Sequence, residues 1–586
     1  MSKSHIARLT RRWLLGTAIA GLAAASAAAH AASAHATPVH VAPSLNRSTE
    51  HPNLLVIMGD DIGYSDIGAF GGEIDTPNLD ELARHSLSFR NFYNMSRCCP
   101  SRASLLTGRY PHRVNMGENG NSLAKNVPTV AEELRDAGYA TTMVGKWHLT
   151  AAVPMNERAE QLRWLNHQAY RNHDFGDPST YPTARGFDRY WGILWGIANY
   201  YDPFALVDQT TPVQTVPKGF YLTDAISDHA VSEIGRLGSG RQPFMMYLAY
   251  TAAHWPLMAP DAVIRKYLPR YVGGWERMRA DRYARQVRSG LIDPAIDADP
   301  ALDRGYENNA GIAWHNLTAA ERAVQVRKMA THAAMVDVMD QGIGRVIKAL
   351  KDSGQYENTV VMFLIDNGAS PEIMTYADYD RWSETRDGRQ VRYGEYPDID
   401  KIGSDETMAG IGSYWASAAN TPFRWWKAEA YQGGTHTPFL VSWPGHLGLR
   451  EGATVEEPAH IIDVAPTLLA LAHVAPQPAA VPVDGVPLTP ALQGVALPHD
   501  RPLFFEHEGS RAVIDGQWKL VARAPGPASP VYRPWELYNL SRDRGETRNV
   551  ITASTEVADR LKHVWHVWAS SVGVRRRLGV APFSDD

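Results

Sequence analysis

The sequence predicts an α/β protein built on a large, mostly parallel or mixed β-sheet that is flanked by helices. Five apolar runs lack alternation of polar and apolar residues, which is typical of strands buried on both faces. These runs are Leu54–Met58, Ala140–Val144, Phe244–Tyr250, Thr359–Ile365 and Pro438–Trp443. The segment Glu321–Leu350 has helical periodicity and is followed by a stop signal at Lys351–Gly354. Strand-like runs that alternate with helical segments indicate a layered α/β architecture.

The pattern changes after about Gly494, where short strand-like segments precede a single helix at Glu556–Ser571. The predicted strands are Leu503–Glu506, Ser510–Ile514, Trp518–Ala522 and Glu536–Leu540. We therefore predict a main domain at residues 51–494. A smaller C-terminal α+β subdomain is predicted at residues 495–586, with an antiparallel sheet and a terminal helix.

The first 36 residues resemble an export signal. They carry four basic residues and no acidic one, an apolar run follows over residues 13–29, and Ala34–Ala36 offers an A-x-A cleavage site. The pair Arg11–Arg12 favours a twin-arginine signal over an ordinary secretory signal. The apolar run is too short and too weakly hydrophobic for a membrane span. We therefore expect residues 37–50 to form a linker and the mature bacterial protein to be periplasmic or secreted, without stable membrane insertion.

The composition excludes several classes of protein. A hydrophobic fraction of 44% and a charged fraction of 21% are ordinary for globular domains, so neither a disordered nor a fibrous chain is expected. The net charge of -5 gives no basic footprint for nucleic acid. The chain has only two cysteines, the neighbours Cys98 and Cys99, so a disulfide framework is impossible.

Polar side chains follow four of the five apolar runs. Ligands of doubly wound sheets bind beyond the carboxyl ends of the strands, so these positions are candidates for a site. The residues are Asp60, Asp61, Lys146, His148, His254, Asp366 and Asn367, and Lys427 precedes the last run. Each of them alone is also compatible with a turn, a helix cap, a solvated charge or a structural histidine. Their joint occurrence favours one site.

The chemistry of these residues suits a metal ion and an anion. Three carboxylates and an amide oxygen are hard donors that Ca²⁺ or Mg²⁺ prefers, and the Cys/His set typical of zinc is missing from them. Lysine, arginine and histidine side chains around such an ion would neutralise a tetrahedral oxyanion ester. Two long stretches, Ala151–Gly240 and Ala369–Arg424, interrupt the alternation of elements, and loops of this length are usually functional.

The segment from Cys98 to Arg109 has the pattern of a short helix. Pro100 suits the first turn and Gly108 suits the end. Cys98 would then lie at a helix N-terminus, where backbone N–H groups favour an anion, with Arg102 on the same helical face. A buried cysteine pair and a strained vicinal disulfide are the alternatives, and neither explains the surrounding polar residues.

This segment resembles the signature of the type I, formylglycine-dependent sulfatases, Cys-x-Pro-Ser-Arg followed by Leu-Thr-Gly-Arg, and it matches at every fixed position. Further matching blocks are Gly145–His148, Asp366–Gly368 and Gly433–Gly434, so the resemblance covers nearly the whole chain from His51 onward. The blocks that resemble the bacterial arylsulfatase branch are Arg185–Asp188, His254–Leu257, Ser417–Arg424 and Phe504–Gly509.

The resemblance implies an alkaline-phosphatase-like fold in which residues 51–494 form the catalytic domain. It also implies one Ca²⁺ ion, with Mg²⁺ less favoured, and conversion of Cys98 to 3-oxoalanine (formylglycine) by a formylglycine-generating enzyme. The implied metal ligands are Asp60, Asp61, Cys98, Asp366 and Asn367. The implied catalytic residues, expected to line the sulfate pocket, are Cys98, Arg102, Lys146, His148, His254 and Lys427. Of these, Lys146, His254 and Lys427 are expected to bind the substrate.

The implied activity is that of an arylsulfatase, which hydrolyses small aryl, and also alkyl, sulfate monoesters to a phenol or alcohol and sulfate. In the family mechanism the geminal diol at position 98 attacks sulfur and gives a covalent enzyme–sulfate ester. His254 is expected to donate a proton to the departing oxygen. His148 is expected to remove a proton from the second hydroxyl, so that sulfate leaves.

Two other functions stay as alternatives at this point. One is a phosphonate monoester or phosphodiester hydrolase of the same superfamily, and the other is a sulfated-glycan-binding protein in which Cys98 never matures. Gln432 and His436 depart from the usual residues of the family and bear on substrate preference. Trp415, Trp425 and Trp426 are either an aromatic wall for an apolar leaving group or core residues.

Overall fold

The structure is a computed structural model. It describes residues 51–153, 155–167, 174–238, 242–305, 311–378, 380–497, 501–525 and 531–575. These residues belong to one unit that spans Ser48–Asp586. The predicted export signal at 1–36 and the predicted linker at 37–50 lie outside the described residues.

The strands of the described ranges include all five that the apolar runs predict. The full set of strands in these ranges is β1 Asn53–Gly59, β2 Leu87–Phe89, β3 Phe92–Tyr93, β4 Ala140–Gly145, β5 Arg189–Ile193, β6 Leu206–Asp208, β7 Thr211–Pro212, β8 Phe244–Ala249, β9 Thr359–Ile365, β10 Phe439–Ser442, β11 Thr454–Val455, β12 Ala459–His460, β13 Leu503–His507, β14 Ser510–Asp515, β15 Trp518–Ala522 and β16 Glu536–Asn539.

The helices include the long one predicted before β9, which begins with a capping box between Thr318 and Glu321. They are α1 Pro77–Arg84, α2 Cys98–Thr107, α3 Val130–Asp136, α4 Arg158–His167, α5 Leu222–Gly238, α6 Asp261–Tyr267, α7 Gly274–Ser289, α8 Ala319–Asp352, α9 Ser413–Ala419, α10 Gln432–Thr435, α11 Val464–Leu471, α12 Thr489–Leu492 and α13 Thr555–Val572. Among the helices of the described ranges, none combines the length and the apolar character that a bilayer crossing needs.

The main sheet is mixed, and its centre is parallel. The strand order is β11-β2-β10-β9-β1-β8-β4-β5-β6-β7. The five strands from β9 to β5 run parallel to one another, whereas β10 is antiparallel to β9. Every residue of β1, β8 and β9 is buried, so helices and loops cover both faces of the sheet. The predicted fold class is therefore confirmed.

The direction of the strands decides which segments meet at one edge of this sheet. Gly59 pairs with Ile365, and Gly145 pairs with Ala249, so the carboxyl ends of β1, β9, β4 and β8 lie together. Because β10 runs the other way, its amino end reaches the same edge. The loop before β10, which carries Lys427, is thereby brought to the ends of the parallel strands.

A separate antiparallel sheet lies near the C-terminus, with the strand order β13-β14-β15-β16. The helix α13 packs against β14 and β15. This is the architecture predicted for the C-terminal part. The boundary at residues 494 and 495 stays a prediction.

Candidate active site

Acidic and amide side chains from the ends of β1 and β9 meet at the carboxyl edge of the sheet. The backbone N–H of Asp61 approaches Asp366 Oδ1 at 3.4 Å, and Asn367 Nδ2 donates to Asp61 Oδ1 at 2.7 Å. All of these side chains, with Asp60, are buried. Asp61 has a φ of 58°, a left-handed backbone of the kind that clusters at functional sites. The structure thus brings the four predicted metal-binding side chains of the two strand ends together.

A close backbone approach holds the end of β9 in this position. A Cβ atom on Gly368 would lie 1.8 Å from the carbonyl oxygen of Gly433, so only glycine allows the two segments to pack. This contact explains why Asp366-Asn367 is followed by glycine. The glycine pair before β10 has its own close approaches, since a Cβ atom would lie 2.2 Å from the carbonyl oxygen of Trp425 at position 433 and 2.0 Å from that of Glu429 at position 434.

Two cations lie against these carboxylates. Arg102 Nη2 donates to Asp366 Oδ2 at 2.8 Å and to Asp60 Oδ2 at 3.1 Å, and Lys146 Nζ donates to Asp60 Oδ2 at 2.5 Å. The side chains of Arg102 and Lys146 have no solvent exposure. Sequence reasoning expected both to line the sulfate pocket. Neither is among the residues that line the cavity over Cys98, and their role in binding sulfate stays a prediction.

The acidic cluster fits a hard divalent cation. Asp60 Oδ1 and Asn367 Oδ1 are buried oxygens with no hydrogen-bond partner among the described residues, and buried polar atoms are rarely left in that state. Burial, and then the charge of Asp366, raise the pKa of Asp60 to about 7 in spite of Lys146. Two free oxygen atoms beside mutually repelling carboxylates suit Ca²⁺ or Mg²⁺. Asp60, Asp61, Asp366 and Asn367 are the residues that would hold such an ion.

Cys98 begins α2 and faces the pocket above this cluster. The helix ends at Gly108 in a left-handed conformation, as predicted. A hydrogen bond from the Cys99 thiol, and then the nearby charges of His148 and Lys146, lower the pKa of the Cys98 thiol well below its usual range despite burial. Burial, and then Cys98 itself, raise the pKa of Cys99. Both cysteines line the cavity, and the assignment of Cys98 as the modified residue stays a prediction.

The two predicted histidines lie in the wall of the same pocket. His148 has a φ of 57° and a buried Nδ1 with no hydrogen-bond partner among the described residues. Its pKa falls to about 4 because of burial, even though Cys98 opposes the shift. His254 Nδ1–H donates to the carbonyl oxygen of Trp255 at 2.6 Å, which leaves Nε2 directed toward Asp61 Oδ2 at 3.5 Å.

Lys427 closes the site from the loop before β10. Its Nζ lies 2.8 Å from Asp61 Oδ2 and 3.4 Å from Glu372 Oε2. Glu372 also accepts a hydrogen bond from Arg97 Nη1 at 3.1 Å. Sequence reasoning missed Glu372 and Arg97, because nothing in their local pattern distinguishes them from surface charges in a loop or before a helix.

The cavity over Cys98 has a volume of about 330 Å³. Its polar wall includes Cys98, His148, His254 and Lys427, and its apolar wall includes Trp195, Ile197, Trp255 and Met374. Pockets of this size are at the lower end of the range for small-molecule sites. A cavity with a cysteine, two histidines and a lysine beside an acidic cluster has the groups that an ester hydrolase of anionic substrates needs.

Comparison with known proteins gives the family. The family model described as Sulfatase matches residues 52–474. The chain belongs to the sulfatase family. An uncharacterised sulfatase of Schizosaccharomyces pombe is 29% identical over 90% of this chain and 95% of its own length. An arylsulfatase of Klebsiella aerogenes is 31% identical over 73% of this chain and 88% of its own length. Members of this family are sulfuric ester hydrolases, and this sulfatase is one of them.

The fold agrees with solved sulfatase structures. The crystal structure of PsFucS1 sulfatase from Pseudoalteromonas sp. superposes with a TM-score of 0.56, covering 90% of this chain and 92% of that chain at 18% identity. At this identity the likeness concerns the fold alone. The mixed sheet and the C-terminal antiparallel sheet are thus features of a sulfatase fold.

The tryptophans near Lys427 are core residues of this sulfatase. Trp415 and Trp426 have no exposed surface and Trp425 is 6% exposed, and the cavity over Cys98 is lined by Trp195 and Trp255 instead. The interpretation of the first three as an aromatic wall is therefore wrong. In the helix α9, which carries Trp415, every residue after Ser413 is buried.

The two departures from the family pattern also lie outside the wall of this cavity. The backbone N–H of Gln432 donates to Glu546 Oε2 at 2.8 Å. His436 Nε2–H donates to the carbonyl oxygen of Arg90 at 2.6 Å, and its ring stacks on Phe423 with a centroid distance of 4.4 Å. Both residues join the loop before β10 to neighbouring elements, so an effect on substrate preference would be indirect.

Proposed function

We propose that this sulfatase is an arylsulfatase, which hydrolyses sulfate monoesters of phenols and, more slowly, of alcohols. The observation that carries the proposal is the shared cavity of Cys98 and two indole rings, those of Trp195 and Trp255. Flat aromatic walls favour an aromatic leaving group because ring packing adds to the burial of apolar surface. The volume of about 330 Å³ suits a small ester.

Two groups would reside in the site when the enzyme is active. Asp60, Asp61, Asp366, Asn367 and the modified Cys98 would hold a calcium ion, which neutralises negative charge on the sulfate group. Formylglycine at position 98 would supply a hydrated aldehyde as the nucleophile, in place of a thiol. The unpartnered oxygens of Asp60 and Asn367 support the metal site.

The side chains of the pocket have separate roles in this proposal. His254 keeps its Nδ1–H on the carbonyl oxygen of Trp255. It therefore donates to the departing oxygen from Nε2 and only as the imidazolium, after Nε2 has taken up a proton from solvent. Lys427 neutralises charge on that oxygen. His148 accepts a proton from position 98 in the second half of the reaction. Arg102 and Lys146, which donate hydrogen bonds to Asp60 and Asp366, favour the ionised hydroxyl of the hydrated aldehyde at position 98.

The protein reaches this state through two further steps. A formylglycine-generating enzyme converts Cys98, and the twin-arginine leader at residues 1–36 directs the protein to the periplasm or the exterior of a bacterial cell. Residues 51–494 form the catalytic domain, and residues 495–586 form the C-terminal subdomain.

A substrate panel tests the proposed activity. The matured enzyme is assayed with 4-nitrophenyl sulfate, phenyl sulfate, an alkyl sulfate and a phenylphosphonate monoester, and Cys98→Ala serves as the inactive control. We expect kcat/KM to be largest for the aryl sulfates. A larger kcat/KM for the phosphonate would favour the related phosphonate hydrolases. Hydrolysis of none of the esters by protein with modified Cys98 would refute the proposal.

A further inference from the structure

Glu372 joins four side chains, three of which come from distant parts of the chain. Its Oε1 accepts a hydrogen bond from Arg97 at 3.1 Å. Its Oε2 accepts hydrogen bonds from Trp255 Nε1 at 2.9 Å and from Ser370 Oγ at 3.0 Å, and it lies 3.4 Å from Lys427 Nζ. A single carboxylate therefore ties the residue before Cys98, the residue after His254 and the lysine of the β10 loop.

The contact with Trp255 extends to His254. The carbonyl oxygen of Trp255 accepts the Nδ1–H of His254 at 2.6 Å, and the indole of the same Trp255 is anchored by Glu372. The indole and the carbonyl belong to one residue, so the hydrogen bond to Glu372 restrains the residue whose backbone orients the imidazole ring. The direction of His254 Nε2 thus depends on the anchor at the far end of Trp255.

The contact with Lys427 fixes the position of the ammonium group. Asp61 holds Nζ from the side of the acidic cluster at 2.8 Å, and Glu372 holds it from the side of the pocket wall at 3.4 Å. With Asp61 alone, Coulomb attraction would draw the ammonium toward the acidic cluster and away from the cavity. Two carboxylates on different sides keep it at the pocket surface.

Glu372 itself stays ionised. Burial would raise the pKa of this carboxyl, but the charges of Arg97 and Lys427 outweigh burial and hold the pKa well below its usual range. A carboxylate with this pKa is unsuited to transfer protons near neutral pH. Its effect on the reaction is therefore exerted through the groups that it holds.

We propose that Glu372 is a positioning residue that sets the places of His254 and Lys427, the two groups that act on the departing oxygen. The proposal rests on the proposed sulfate ester hydrolysis in this pocket. It assigns a role to a residue of the long Ala369–Arg424 stretch. It also makes the dependence of kcat on the leaving group sensitive to Glu372, although no described hydrogen bond or ion pair joins Glu372 to Cys98 or to the acidic cluster.

The test compares Glu372→Gln with Glu372→Asp. The amide of glutamine has one acceptor oxygen where the carboxylate has two, so at least one of the donors around it faces an N–H group. The aspartate keeps the charge on a shorter side chain. Glu395→Gln is the matched control, because Glu395 pairs with the buried Lys328 at 3.0 Å and does not line the cavity.

The main measurement is kcat and KM for a series of aryl sulfates whose phenols differ in pKa. General acid–base groups contribute roughly 10²- to 10⁴-fold, so displacing them should cost about 10- to 100-fold in kcat for phenols of high pKa. Nitrophenyl sulfates, whose leaving groups need little protonation, should lose only a few-fold. We expect KM to change little, Glu372→Asp to recover part of kcat, and Glu395→Gln to match the wild type.

A loss in Glu372→Gln that is equal for all phenols would overturn the proposal, as would unchanged kinetics or a change in KM alone. The indole ¹⁵N–H resonance of Trp255 gives a readout that does not depend on turnover. We expect this resonance to shift in Glu372→Gln and not in Glu395→Gln, and an unshifted resonance would also overturn the proposal. If the wild type hydrolyses no sulfate ester, the proposed function fails while the resonance still reports on the anchoring of Trp255.

Discussion

Calcium should stabilise the folded protein through the oxygen atoms that lack hydrogen-bond partners. The perturbation is Asn367→Ala, which removes one of these oxygens without changing the charge of the site. Asp340→Asn is the matched control, because Asp340 is a fully buried side chain that accepts hydrogen bonds from Asn78 and Leu79, away from the pocket.

The size of the effect follows from binding linkage. A ligand at 100 times its Kd stabilises the folded state by about 2.7 kcal/mol. The unfolding entropy is roughly 2.1 cal/mol/K per residue, summed over the unit Ser48–Asp586. Dividing the stabilisation by this entropy gives a rise in Tm of about 2 to 3 °C. The wild type and Asp340→Asn should show this rise when calcium is added after chelation. Asn367→Ala should lose most of it.

Differential scanning fluorimetry over a calcium titration measures the shift, and metal analysis of the purified protein identifies the ion. An equal calcium-dependent shift in Asn367→Ala and in the wild type would refute the reasoning from the unpartnered oxygens. Stoichiometric zinc, with neither calcium nor magnesium, in active enzyme would refute the argument from hard donors.

Three further predictions concern maturation, the two histidines and acid stability. Mass spectrometry of the peptide with Cys98 should find its sulfur replaced by oxygen with loss of two hydrogens, and fully active enzyme with an unmodified thiol would contradict the mechanism. In His148→Ala, phenol release should occur as a burst of about one equivalent and then stall with sulfate on the protein. His254→Ala should slow the hydrolysis of alkyl sulfates far more than that of nitrophenyl sulfate. The reverse pattern would exchange the roles of the two histidines. Burial raises the pKa of Asp66, but Arg282 and His332 together outweigh burial and lower this pKa from 3.8 to about 2. The ionised Asp66 therefore stabilises the fold by about 2 kcal/mol above pH 4. That contribution is lost as the pH falls from 4 toward 2. The difference in unfolding free energy between wild type and Asp66→Asn should therefore shrink between these pH values, and a constant difference would refute the proposed contribution of Asp66.

The sheet and the acidic cluster could be predicted because both have strong local signals. Uninterrupted apolar runs mark strands that are buried on both faces, and polar residues directly after such runs lie at one edge of a parallel sheet. The short helix behind Cys98 could be predicted from Pro100 and Gly108. These inferences need only neighbouring residues along the chain.

The remaining features depend on contacts between distant segments. The antiparallel direction of β10 could not be predicted, because an apolar run has the same pattern in either direction. Glu372 lies in a polar stretch where a surface carboxylate and a buried one look alike in sequence. Trp195 and Trp255 line the cavity while Trp415 is in the core, and nothing local distinguishes these three indoles.

The reversed strand β10 also has a consequence for how the site is assembled during synthesis. Asp61 and Lys427, which are 2.8 Å apart, are separated by 366 positions in the chain. At roughly 5–20 residues per second, the ribosome needs about 20–70 s to add the lysine after the aspartate. Throughout that interval the carboxylate of Asp61 must be solvated by water or paired with an ion from solution or with a basic side chain that was translated earlier. The pocket is therefore completed late, and a nascent chain that stops before β10 carries the acidic cluster without the lysine that closes it.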